Sequence, residues 1–350
     1  MSLRPRVACP IPGSRFASRA TVSTATSLLT STSKQLKFRA LTGYKHTTPE
    51  AYTSPFALRF ALIVLIGLIS MGWYTLNRVA SEGGVPFMSI AFYECVGGAA
   101  FAGLLLLIRR KRVPLSRDHV VFYAVCGLLG AAVPYTSVAF ASPHLPVGVL
   151  GMGPSIEPAL TYLIALPLLL EKFRAIRFFG LLVGIAGLML ILLPQAALPS
   201  PDMVPWVILG LAAPIGWSLR NNYIAVARPR DTDSVVLGFG MLTCATVMLL
   251  PPTAATGALW WFDGPGGEVW WAILALTILN FTGCVLAFET VKLTGPVFFS
   301  TWSFFGVPFT MLAGILLFGE RHSLWIWSAL ILLLASLYLV NRTMGSARRR

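Results

Sequence analysis

From Phe56 onward, apolar runs of about 20 residues follow one another with only short polar breaks. A helix of that length crosses roughly 30 Å of hydrocarbon. In lipid each backbone N–H and C=O must be paired internally, so the runs are expected to be helices. A β-barrel would show shorter segments of alternating polarity, and none is visible. Composition agrees: 56% of residues are hydrophobic, 11% are charged and the mean hydropathy is +0.75, whereas soluble chains are about a quarter charged. The expected fold class is an all-α integral membrane protein whose first partner is the lipid bilayer.

Ten apolar segments are read, spanning 57–78, 87–108, 119–140, 146–170, 178–194, 204–226, 234–251, 269–289, 296–318 and 323–341. Only Ser142-Pro143-His144-Leu145-Pro146 separates the third from the fourth, and missing that break would invert everything after it. Charge tests the count. With the N-terminus in the cytoplasm, ten spans put every Lys and Arg except Arg78 and Arg321 on the inner side, with Arg220 assigned to the inner end of the sixth segment. The positive-inside rule calls for this asymmetry, and an odd number of spans would scatter it. Both termini are therefore expected in the cytoplasm.

The net charge of +14 does not imply nucleic acid, because the basic residues lie in a terminal arm and in short loops. The arm, 1–54, is rich in Ser, Thr and Arg, and its first acidic residue is Glu50. It reads as a disordered cytoplasmic tail, an over-long start, or an organelle transit peptide. A bacterial inner membrane is the expected location, or an organelle membrane if the arm is a transit peptide. A basic tail, 344–350, closes the chain.

No G-x-x-x-x-G-K-[ST], H-E-x-x-H or G-x-S-x-G occurs, and the four His are isolated. The sequence thus encodes no ATP-driven pump and gives little support to an intramembrane enzyme. The five Cys form no C-x-x-C, and no metal or cofactor is expected.

The chain repeats itself. Gly72-Trp73-x-x-x-Asn77 near the end of the first segment returns as Gly216-Trp217-x-x-x-Asn221 near the end of the sixth. Leu170-Glu171-Lys172 after the fourth parallels Gly319-Glu320-Arg321 after the ninth. Each unit holds five spans, and five is odd, so the second copy enters the membrane from the opposite side. The expected domains are two inverted five-helix repeats, 55–200 and 201–343. Inverted halves can exchange conformations and open a central site to either face in turn. Channels and some membrane enzymes share this symmetry.

At these residues, with Gly83-Gly84-Val85-Pro86 before the second segment, the chain resembles the EamA-like family of the drug/metabolite transporter superfamily, ten-helix carriers with two repeated domains. The resemblance spans residues 57–342. It implies secondary transport of a small-molecule substrate, commonly an amino acid or related metabolite and often outward. The family often has Leu-Arg in the second helix where this chain has Tyr93-Glu94, so that basic residue is not carried here. The first turn also reads Leu-Glu-Lys rather than Gly-Glu-Arg.

An ionisable group at membrane depth is costly and marks a candidate site. Glu157 leads. It sits mid-segment among Gly151, Gly153, Pro154 and Pro158, which bend the helix and free carbonyls, with Thr161 one turn on. It would exchange protons, pair with a substrate amine, or serve as a structural acid. Glu94 and Tyr93 would contact substrate or line a wet vestibule. Trp73, Asn77, Trp217 and Asn221 form repeat-related pairs suited to substrate binding, interhelical bonding or interface anchoring. Tyr135, Tyr162, Asn280 and Trp302 are further cavity-lining or packing candidates. Gly180, Gly184 and Gly187 share one face of the fifth segment, where close helix packing, as in a homodimer, is expected.

Overall fold

The structure, a computed structural model, describes residues 56–192, 200–229, 231–259 and 267–341. The arm 1–54 and the tail 344–350 lie outside the described residues. Ten helical units follow in order: α1 Phe56–Glu82, α2 Phe87–Ile108, α3 Arg117–His144, α4 Val147–Ala165, α5 Ala175–Leu192, α6 Pro201–Ala227, α7 Ser234–Ala255, α8 Gly267–Thr294, α9 Pro296–Phe318 and α10 Leu324–Asn341. Eight are long and apolar enough to cross a membrane, and α5 and α10 are shorter apolar helices. No strand occurs among the described residues.

The packing carries the symmetry of the repeat. α1 lies against α8 and α9, and α6 lies against the repeat-related pair α3 and α4. α2 packs on α8 as α7 packs on α3. α2 meets α7, and α5 meets α10, each helix pairing with its own counterpart. Exchanging each helix with its repeat partner returns these same contacts. The halves interleave around a pseudo-two-fold axis.

Between helices in lipid the hydrophobic drive is lost, and close approach with polar bonding replaces it. A Cβ on Gly184 would collide with Ser336 Oγ, and one on Gly187 would meet Leu333 at 3.0 Å. The close helix packing expected of this glycine face is made within the chain, where Gly184 and Gly187 of α5 meet α10. Leu107, Leu316, Leu317, Ile331 and Trp271 are exposed on the perimeter, where lipid would cover them.

Polar contacts tie each end. At the end holding the 2–3, 6–7 and 8–9 connections, Asp233 accepts from Lys111 and caps α7 through Val235 N at 2.8 Å. The Lys111 contact holds its carboxyl below the usual range. Ser234 donates to Glu289 at 2.6 Å. At the other end Arg78 Nη1 donates to Ser142 O at 2.7 Å and Leu145 O at 3.1 Å. These bonds fasten α1 to the hairpin between α3 and α4.

Candidate substrate site

Two helices are interrupted at corresponding places in the two repeats. α4 begins as one α-turn, Val147–Leu150, passes through a 3₁₀ turn, Gly153–Ile156, and becomes α-helical again at Glu157. α9 begins as Pro296–Phe299, passes through Ser300–Trp302 and resumes at Ser303. The break puts Glu157 where 3₁₀ gives way to α, with Pro158 next and unable to donate. The Glu157 carbonyl is taken by Ser218 Oγ of α6 at 3.2 Å, so it faces a neighbouring helix rather than open space. Paired interruptions of this kind mark the binding region in inverted-repeat carriers.

α3 is interrupted as well. Leu128–Ala132 form a π-helical turn ahead of Pro134. Pro134 has no N–H for the Gly130 carbonyl four residues back, and Trp217 Nε1 donates to that carbonyl at 3.2 Å.

A cavity of about 100 Å³ opens beside these irregular turns. Its walls come from three repeat-related pairs: α1 and α6, α3 and α8, α4 and α9. Trp73 and Trp217 meet edge to face at 6.0 Å, and Trp302 lies 6.4 Å beyond Trp217. Tyr135 donates to Asn280 Oδ1 at 2.6 Å. On the polar side are Glu157 and Arg220, both buried. Asn221 joins them: its Oδ1 accepts from Arg220 Nη2 at 2.9 Å, and its Nδ2 donates to Glu157 Oε1 at 2.6 Å. The second carboxyl oxygen of Glu157 is buried, and the Trp302 indole stands beside the carboxyl group. The cavity thus offers a cation, a carboxyl group, three indoles and a phenol, a set suited to holding a small amphipathic solute.

A family model described as "EamA-like transporter family" matches this chain twice, over residues 58–193 and 204–342. The chain belongs to the EamA-like transporter family. It is an integral membrane transporter. Its relatives include Solute carrier family 35 member B1 of Gallus gallus, 25% identical over 300 residues, covering 83% of this chain and 90% of that one. Protein PecM of Dickeya dadantii (strain 3937) is 24% identical over 243 residues, covering 66% and 78%. A solved structure titled "Crystal structure of protein" shares the fold with a TM-score of 0.57 and 19% identity, over 80% of this chain and 98% of that chain.

In this EamA-like transporter the cavity gathers Glu157, Trp73, Trp217, Tyr135, Asn280 and Trp302 of the residues singled out in the sequence. Asn221 stands one bond behind it. Glu94 is not in a wet vestibule: it is buried and accepts from the Trp73 indole, a shell behind the wall. Asn77 turns back to its own helix, donating to Trp73 O at 3.1 Å. Tyr93 packs on Phe92 at 5.4 Å and does not line the cavity. Neither does Tyr162, which accepts from Arg174 N at 2.7 Å and donates to Lys172 O at 3.1 Å, bracing the end of α4.

Arg220 is the correction with most consequence. It lies seven residues before the end of α6, buried in the cavity wall rather than exposed as an end charge. The signal was present: Arg220 follows Trp217 by three residues on a helix, so both share a face. Its repeat counterpart after Trp73 is Leu76, so only one half supplies the cation.

Proposed function

We propose that this protein is a secondary carrier that moves a small polar or amphipathic metabolite, an amino acid or related compound, by alternating access, with both termini in the cytoplasm. The observation that carries this reading is the position of the cavity. It lies where the repeats meet, and Trp73 and Trp217, the same position in each half, touch across it.

The two ends of the bundle support the reading. Glu320, in the turn after α9, accepts from the first backbone N–H groups of α4, Val147 N and Gly148 N, the latter at 3.0 Å. His322 Nε2 lies 3.3 Å from the same carboxylate. The repeat counterpart, Glu171, does not do the same for α9. It pairs with Arg177 at 2.9 Å, and the start of α9 after Gly295 has no side-chain cap. In the exchanged conformation Glu171 leaves Arg177 and caps α9, while Glu320 releases α4. The cavity then opens to the other face.

Glu157 is the coupling group in this scheme. It faces Arg220 from α6 and Tyr74 from α1, and Asn221 holds one carboxyl oxygen. It takes up a proton in one orientation and releases it in the other. Uptake and counterflow of labelled metabolites in proteoliposomes test the reading. A carrier saturates and is accelerated by unlabelled substrate on the far side; linear flux without exchange would make it a channel.

A further inference from the structure

Arg220 is buried at membrane depth, yet among the described residues it forms no ion pair. Nε and Nη2 both donate to a single acceptor, Asn221 Oδ1, at 3.2 Å and 2.9 Å. That acceptor is neutral. A guanidinium cannot lose its charge by deprotonation in a protein, so a buried one calls for a counter-anion. The fold makes room for this side chain: a Cβ on Gly130, in the π turn of α3, would collide with Arg220 Cδ. The carboxyl group in the cavity wall, Glu157, meets Arg220 only through Asn221, so among the described residues the guanidinium has no direct counter-anion in a cavity lined mainly by indole, phenol and aliphatic side chains.

We infer that Arg220 is the substrate-anion site, and that the transported compound carries a single carboxylate on a short apolar body. The inference rests on the carrier reading and names the substrate class for the same cavity. Carboxylate is favoured over phosphate for a reason of charge. A phosphate monoester carries nearly two charges and three acceptor oxygens, and the cavity offers it one cation with Glu157 close by. One carboxylate matches one guanidinium in charge, and the mainly apolar remainder of the wall suits a short apolar body.

Three probes on one carbon skeleton separate the charges: leucine, 4-methylpentanoate, which lacks its amine, and 3-methylbutylamine, which lacks its carboxylate. Methyl phosphate is the fourth. Each is added at millimolar concentration to purified full-length protein in detergent, and unfolding temperature is followed with the emission of the cavity tryptophans. A ligand that binds only the folded state raises the unfolding temperature. Leucine and 4-methylpentanoate are expected to raise it and to shift the emission, and 3-methylbutylamine and methyl phosphate to do neither. Arg220→Gln is expected to lose the carboxylate response, and Arg220→Lys to weaken it about tenfold because one point charge replaces the fork. If Arg220→Gln does not fold, the wild-type comparison alone decides. A response to the amine or the phosphate equal to that of 4-methylpentanoate would overturn the assignment, as would silence with both carboxylates or a full response in Arg220→Gln. The carrier reading fails separately, by the absence of counterflow.

Discussion

Trp73 and Trp217 hold the same place in the two repeats and meet edge to face at 6.0 Å, but their indole N–H groups serve different acceptors. Trp73 donates to the buried Glu94 carboxyl, and Trp217 to the Gly130 carbonyl that Pro134 leaves free. Phe at either position keeps most of the ring and removes the donor. Trp73→Phe strands a carboxyl group and is expected to cost about 1–3 kcal/mol. Trp217→Phe strands a neutral carbonyl and is expected to cost less. Chemical unfolding in detergent measures both, and a Trp73→Phe, Glu94→Gln double-mutant cycle isolates the coupling.

Glu157→Gln keeps the shape and an acceptor for Asn221 but carries no titratable proton. It is expected to abolish the pH dependence of flux in proteoliposomes while substrate exchange persists. Wild-type flux with a wild-type pH profile would remove Glu157 from the coupling role.

Gly130→Ala pushes on the stem of Arg220 without touching the charge. The expected outcome is a folded protein with carboxylate affinity lowered about tenfold, some 1.4 kcal/mol. Titration of the unfolding temperature against 4-methylpentanoate measures it.

The Glu320 clasp has a pH signature. Burial alone would raise its pKa, but His322 and the backbone N–H groups of Gly148 and Val147 outweigh burial and hold it below the usual 4.5. A depressed folded-state value means that the contribution is complete above the unfolded value. It is lost as pH falls through the folded one. Thermal unfolding followed down from neutral pH is expected to show a loss below about 4.5 that Glu320→Gln lacks, the variant being weaker by about 1–3 kcal/mol at neutral pH. Gly314→Ala, whose Cβ would collide with the Glu320 carboxylate, is expected to open the same clasp.

The membrane-scale design was legible in the sequence because length, apolarity and loop charge act one segment at a time. The G-W-x-x-x-N echo located the centre of the fold for the same reason: a repeat is a pattern along the chain. What escaped was the pairing of side chains across helices. Asn77 and Asn221 read alike, yet one bonds its own helix and the other bridges Arg220 to Glu157. Arg220 was counted as an end charge because the inside rule rewards basic residues near a boundary. Only the neighbouring Gly130 and Trp217 show that it turns into the cavity.

The central claim is that the two ends of the bundle open in turn. Paired spin labels at Pro143 and Arg321 report the end clasped by Glu320, and labels at Lys172 and Lys292 report the other. In liposomes with the native cysteines replaced, adding substrate or a proton gradient is expected to lengthen one distance and shorten the other. Two distances that stay fixed, or that change in the same sense, would contradict the account.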